Sequence, residues 1–347
     1  MKKKKASAKR TTLIVLCAFL AVILAVLIGV TIYMESLFGL INKADPNGSN
    51  SFMSEEEYMQ GEENNTDITG PVEDPNSVEW GDVDPIVASK DIINILLIGK
   101  DQRKSGNARS DAMILCTINK SAKTITMTSF LRDMYVQIPG KSDNRINASY
   151  AMGGAQLLNK TIEKNFGVTV DGNVEIDFFG FKDVIDYLGG VDIELTAAEA
   201  EYLNRRGNWD LEKNAGQWNL KEGVNHLNGS QTVAYSRIRK VGNGDFGRTN
   251  RQRTVLSKLM EMAKGMSISQ VNGLLNKALP LLTTDLTDRE IMSYVMVVFP
   301  MLGDLTIQTQ QIPAKGTYRM SMINGMSVLI PSLKKNQEVL KEIMSAE

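Results

Sequence analysis

IINILLIG, residues 92–99, is a nearly unbroken apolar run whose one polar side chain is Asn94. A run this short and continuous suits a strand buried on both faces, where alternating side chains meet apolar neighbours on either side. AMILCTI (112–118) and TITMTSF (124–130) predict two more strands, joined by the turn-like NKSAK. After them, helical and strand patterns alternate. AQLLNKTIEKNFG closes on Gly167, and FFGFKDVIDYLGG closes on Gly189 and Gly190 before the strand VDIEL; each glycine is a candidate helix C-cap. Thr196 and Glu199 have capping-box spacing. TNRQRTVLSKLMEMAKG sets Val255, Leu256, Leu259, Met260 and Ala263 on one stripe, an amphipathic helix with a basic start at Arg251. LTIQTQQI and MSVLIP are strand-like and complete the same domain. The expected fold class is α/β, a mixed central sheet covered by helices.

The ends of the chain differ sharply from this core. Residues 1–10 carry six basic side chains and no acidic one, and residues 11–34 are apolar and uncharged. At about 1.5 Å per residue such a segment reaches roughly 36 Å as a helix, enough to cross a hydrocarbon core of ~30 Å. The apolar run is longer than a signal-peptide core and lacks a clear A-x-A site, which favours an uncleaved signal-anchor. The positive-inside rule then predicts a cytoplasmic tail (1–10), a transmembrane helix (11–34) and an extracytoplasmic remainder. Residues 35–89 hold thirteen acidic side chains against one lysine, and read as an acidic flexible stalk before a folded domain at 90–347. The two cysteines, Cys17 and Cys116, lie in separate segments and form no disulfide framework.

The chain's formal net charge is only -1, yet YSRIRKVGNGDFGRTNRQR (235–253) places five arginines around Asp245. If YSRIR is extended, Arg237 and Arg239 share one side of the chain, whereas on a helix they diverge. VGNGDFG then bends to return Asp245 and Arg248 toward them. Guanidinium forks match phosphate oxygens, and several are needed to neutralise a diphosphate diester. Nucleic acid is disfavoured because aromatic side chains are not interleaved with the basic ones. Asp101 after LIGK and Asp111 in RSDAM stand where loops at sheet ends bind ligands. Two carboxylates there suit Mg²⁺, or they are simply turn and cap aspartates. Arg109 precedes Asp111, Arg132 and Asp133 end the third strand, and Arg145 follows in NRINASY. His226, the only histidine, lies in the loop-like GVNHLNG and reads as structural. No phosphate-binding glycine loop for a nucleotide is visible.

The ordered set GKD, RSD, LRDMYVQIP, RINASYAMGG, DYLGGVDI, HLNGSQTVAYSRIR and DFGRTNRQR closely resembles the LytR-CpsA-Psr family over residues 92–264. The resemblance implies an LCP-type domain and a Mg²⁺-dependent phosphotransferase at the cell membrane of a Gram-positive type bacterium. Its substrates would be an anionic glycopolymer, teichoic acid or capsular polysaccharide, on an undecaprenyl diphosphate carrier, and peptidoglycan as acceptor. Asp101 and Asp111 would hold Mg²⁺. Arg109, Arg132, Arg145, Arg237, Arg239, Arg248 and Gln252 would bind the diphosphate. Asp245 and Asp133 would be the catalytic acid-base candidates beside Arg132, with Asp245 preferred. Leu131 and Ala112 stand where the family often has Pro and Thr. Two other readings use the same residues: hydrolysis of the polyprenyl-diphosphate saccharide by water, and a non-enzymatic polyprenyl-lipid-binding regulator.

Overall fold

The computed structural model describes residues 33–44, 52–60, 70–102, 108–205, 218–345. The expected basic tail and all but the last two residues of the expected membrane helix lie outside them. Among the described residues no helix is long and apolar enough to cross a membrane.

The strands of the central sheet are β1 (Asn42–Lys43), β2 (Ile92–Gln102), β3 (Ala108–Asn119), β4 (Thr124–Phe130), β7 (Gly172–Asp177), β10 (Leu282–Thr284) and β11 (Thr306–Ile312). Their order is β1-β10-β7-β2-β3-β4-β11. β7 and β2 are parallel, as are β11 and β4, while β3 runs antiparallel to both of its neighbours. The sheet is therefore mixed, as the sequence predicts. Three hairpins lie outside it: β5 (Tyr135–Val136) with β6 (Asn144–Arg145), β8 (Val191–Leu195) with β9 (Gly223–Leu227), and β12 (Tyr318–Ile323) with β13 (Met326–Pro331).

The helices are α1 (Glu55–Gln60), α2 (Ile146–Phe166), α3 (Phe178–Tyr187), α4 (Ala197–Asn204), α5 (Gly229–Ser236), α6 (Gly244–Lys264), α7 (Ile268–Ala278), α8 (Asp288–Val298) and α9 (Leu333–Ser345). Leu96 and Ile98 of β2 face a core with Leu158, Ile162 and Phe166 of α2 and Leu340 of α9. Ile93 and Ile95 face the opposite layer, which includes Leu256 and Met260 of α6 and Ile291 of α8. Both faces of β2 are thus covered, which is why its apolar run is continuous. A third cluster joins α3, α4, α5 and α6 to the β8–β9 hairpin. Gly167 caps α2 at φ 70, and Thr196 with Glu199 forms the expected capping box on α4.

The acidic segment before β2 differs from the expected solvated stalk. In its described residues it packs on the domain. Tyr58 of α1 is fully buried and donates to Asn147 Oδ1 at 2.9 Å. Trp80 Nε1 donates to Asp143 Oδ2 at 2.7 Å and its ring stacks on Tyr135. Charge count hid this, because acidic side chains on the outer face of a short amphipathic turn do not prevent one tyrosine from being buried. Tyr58→Ala is expected to destabilise the domain by about 3–5 kcal/mol through the cavity and the orphaned Asn147, read as a lowered denaturation midpoint.

Candidate active site

The strands β2, β4, β7 and β11 point the same way, so their carboxyl ends meet along one edge of the sheet, the usual ligand position in open α/β folds. The start of the opposing strand β3 lies at that edge. There Gly99 pairs with Ala112 but Lys100 pairs with Ser110, so Asp111 is the extra residue of a bulge. Bulges re-aim side chains, and the antiparallel β3–β4 register carries Asp111 beside Arg132. Arg132 Nη1 donates to Asp111 Oδ1 at 2.9 Å.

Arg132 and Asp133 follow directly from β4 and are anchored by Leu131, which is fully buried against Leu329 of β13. The chain returns through the β5–β6 hairpin, where Tyr135 pairs with Arg145. Asp133 consequently sits between two guanidiniums, 3.5 Å from Arg132 Nε and 3.6 Å from Arg145 Nε. Arg145 is 2% exposed and also donates Nη2 to Ser327 O at 2.8 Å. Its contacts hold Asp133 and the β13 backbone in place.

The first turn of α6 supplies the rest. Arg248 Nη2 lies 2.7 Å from Asp245 Oδ1, and Arg248 Nη1 lies 3.7 Å from Asp111 Oδ1. Arg132 Nε is 3.4 Å from the same Asp245 oxygen. Arg239 Nη2 approaches Asp111 Oδ2 at 3.4 Å, and with 35% side-chain exposure it is the most open member of the group. Asp111, Arg132, Asp133, Arg145, Arg239, Asp245 and Arg248 therefore form one connected cluster.

Two local expectations need correcting. YSRIR is not extended: the Asn228–Gln231 capping box starts α5, which runs to Ser236, and Arg237 is its C-cap. Arg237 and Arg239 make separate contacts. Arg237 covers the ring of Phe178 at 4.7 Å, at the end of β7, while Arg239 meets Asp111. The glycine bend is also shorter than expected. Gly242 (φ +79) and Gly244 (φ +54) make the turn, and Asp245 to Arg248 are already helical, which fixes those two side chains at i and i+3.

The remaining candidates are dispersed around this centre. Arg109 covers the Tyr58 ring at 5.0 Å, a cation–π contact made by the supposed stalk. Gln252 shares the helical face of Asp245 and Arg248, and its buried Oε1 has no hydrogen-bond partner among the described residues. Asp101 lies opposite Arg109 in the β2–β3 ladder, and its side chain lies outside the described residues. His226 is on strand β9, not in a loop. Its ring bridges Asp192 Oδ1 and Gly189 O, each at 2.7 Å, which is a structural role.

Burial sets the electrostatics. Burial alone would raise the Asp111 pKa, but Arg132, Arg248 and Arg239 together hold it well below the ordinary range. Asp245 is pushed up by burial and by Asp133, against the pull of Arg248, Arg132 and Arg239. Burial lowers Arg248 to about 10 despite its two carboxylates. Asp245 Oδ1 and Arg248 Nη2 meet at 2.7 Å without hydrogen-bond geometry, and both Asp245 oxygens and the Arg248 guanidinium nitrogens are buried with no hydrogen-bond partner among the described residues. Such a preformed, poorly satisfied array of fixed charge suits a polyanion that supplies the missing oxygens.

Among the described residues no group of three or more His, Cys, Asp or Glu side chains gathers as a binding site. Asp111, with Asp101 close by in the hairpin, suits an ion that takes one or two carboxylates and completes its shell with water and phosphate oxygens, as Mg²⁺ does.

A cavity of ≈ 920 Å³ opens beside the cluster and reaches Arg239 and Asp245. Two of its wall elements were not legible in the sequence. Arg251 pairs with Glu199 at 2.6 Å and donates to Ile238 O and Val241 O, bracing the loop that carries Arg239. Phe246 packs on Tyr318, ring centroids 5.4 Å apart. Both arise from long-range packing that no local motif signals.

Residues 55–345 match the LytR_cpsA_psr family. The chain belongs to this family. Among curated relatives, Regulatory protein MsrR of Staphylococcus aureus (strain COL) is 29% identical over 74% of this chain and 75% of its own. The polyisoprenyl-teichoic acid–peptidoglycan teichoic acid transferase TagU of Bacillus licheniformis is 37% identical over 53% of this chain and 56% of its own. Solved structures of TagT are similar throughout the domain. TagT bound to LIIa-WTA is 30% identical, with a TM-score of 0.60 over 76% of this chain and 93% of that one. TagT with bound octaprenyl pyrophosphate lipid is 26% identical, with a TM-score of 0.57 over 77% and 95%.

Proposed function

We propose that this chain transfers an anionic glycopolymer, of the teichoic acid class, from a polyprenyl diphosphate carrier to peptidoglycan. One observation carries the reading: Arg132, Arg239 and Arg248 surround Asp111 in one ion cluster that also holds Asp245, a carboxylate with a raised pKa, and Arg239 and Asp245 open onto the adjoining cavity. The teichoic acid transferase name of TagU and the octaprenyl pyrophosphate lipid in TagT support the same chemistry.

In this mechanism the guanidiniums of Arg132, Arg239 and Arg248 hold the diphosphate oxygens. Asp245 accepts the proton of the attacking acceptor hydroxyl. The hydroxyl oxygen forms a bond to the phosphorus that carries the glycopolymer, and the bond from that phosphorus to the bridging oxygen breaks. The bridging oxygen leaves with the polyprenyl phosphate. Fixed positive charge aimed at the equatorial and leaving oxygens is the main source of rate in phosphoryl transfer. Asp133 and Arg145 position Arg132. Mg²⁺, held by Asp101 and Asp111, would neutralise charge on the diphosphate when bound. The apolar segment 11–34 would anchor the domain beside the leaflet that presents the lipid, on the extracytoplasmic side of the cell membrane.

The test is transfer by the full chain in detergent, given a labelled polyprenyl-diphosphate saccharide, peptidoglycan and Mg²⁺. Label is expected in peptidoglycan, with polyprenyl phosphate released in equal amount. Free saccharide phosphate in the presence of acceptor would establish the hydrolase instead, and donor binding without turnover would establish the regulator.

A further inference from the structure

The diphosphate cluster does not account for Arg253. This residue is 6% exposed on α6, two turns beyond Asp245, and lines the same ≈ 920 Å³ cavity. Among the described residues its buried Nε and Nη1 have no hydrogen-bond partner, and Nη2 reaches only Asn250 Oδ1 at 3.4 Å. The two carboxylates that line the cavity are committed elsewhere: Glu199 to Arg251 at 2.6 Å and Asp245 to Arg248 at 2.7 Å. No acidic partner faces Arg253 among the described residues. Lys240 and Lys315, both exposed, stand at the cavity wall and add positive charge, again without a carboxylate partner among the described residues.

A guanidinium buried without a counterion is expensive to keep, and structural arginines of this fold show the contrast: Arg251 and Arg145 both sit against carboxylates. Burial alone lowers Arg253 to about 10, so it stays charged at neutral pH. The cavity it lines is much larger than a diphosphate needs. Phe246 and Tyr318 give that space an aromatic wall, a surface suited to sugar rings.

We infer that Arg253, with Lys240 and Lys315, forms a second oxyanion subsite in this cavity, which holds an anionic group of a saccharide substrate beyond the reacting diphosphate. The inference rests on the transferase reading and names what that reading leaves open: the anion belongs either to the donor's first repeat, as a phosphodiester, or to the acceptor, as a stem-peptide carboxylate.

The experiment compares full-length wild type and Arg253→Met in the transfer assay. Donors are synthetic polyprenyl-diphosphate saccharides with and without one glycerol phosphate unit, and acceptors are peptidoglycan fragments with free or amidated stem carboxylates. Wild type is expected to show a lower KM for the charged form of one partner. Arg253→Met is expected to lose about 10- to 100-fold of that preference, the effect of one charge-assisted contact, and Arg253→Lys to restore part of it. A loss confined to the donor pair assigns the phosphodiester, and one confined to the acceptor pair assigns the carboxylate. An unchanged preference for both pairs overturns the subsite. So does a lowered melting temperature in Arg253→Met with equal losses on charged and neutral substrates, the mark of a structural arginine. Absence of transfer by wild type would instead refute the parent reading.

Discussion

Arg248→Ala is expected to lower kcat/KM for transfer by about 10³-fold or more, the range set by arginines that neutralise a transferring phosphoryl group. Arg248, like Arg132, bridges Asp245 and Asp111, at 2.7 Å and 3.7 Å. Removing it takes one fixed positive charge from the place where negative charge develops, in a site too buried for water to compensate. The same deletion leaves Asp245 beside Asp133 with less opposing charge, so part of the loss is structural. Breaking a buried pair from one side costs about 3–5 kcal/mol. Arg248→Lys separates the two effects. It keeps the charge and the fold but not the two-pronged geometry, so its melting temperature should stay near that of wild type while activity remains at least about tenfold down. Wild-type activity in Arg248→Lys, with the fold intact, would exclude a bidentate role.

The same cluster shows how far the sequence could be read. The strands were legible because β2 is buried on both faces and β4 lies between two sheet neighbours, so apolar continuity and β-branched content survive in the chain itself. The cluster's members were legible because their charges are dense and ordered, and because two of its carboxylates, Asp133 and Asp245, stand within three residues of an arginine partner. Their geometry was not. Whether Arg237 and Arg239 share a direction depends on where α5 ends, and that end, at the C-cap Arg237, has no glycine or proline to mark it in the sequence. The bulge that turns Asp111 toward Arg132 is a one-residue register shift against Lys100, invisible without the partner strand. Tyr58 was hidden for a different reason. It lies among acidic residues whose mean charge describes the solvent face of α1, while the single aromatic on its inner face decides where the segment goes.

Asp245→Asn is expected to reduce kcat by about 10²- to 10⁴-fold, the usual contribution of a positioned general base, with a smaller change in donor KM. Asparagine preserves the size of the side chain and its place in the first turn of α6 but accepts no proton. The pH profile identifies the role. Because burial and Asp133 raise the Asp245 pKa, the acid limb of kcat/KM in wild type should fall above the ordinary aspartate range, as protonation disables the base. Asp111 is shifted the opposite way by three guanidiniums and stays ionised throughout that window, so it adds no inflection there. Asp245→Asn should therefore flatten the acid limb as well as lower its plateau, whereas Asp133→Asn should lower the plateau through the position of Arg132 and move the limb to lower pH without abolishing it, because the Asp133 charge helps raise the Asp245 pKa. If the limb survives in Asp245→Asn and disappears in Asp133→Asn, the base is Asp133 and the assignment reverses. The distances favour the first outcome: Asp133 is enclosed between Arg132 and Arg145 at 1% side-chain exposure, while Asp245 lines the cavity from which an acceptor hydroxyl must approach.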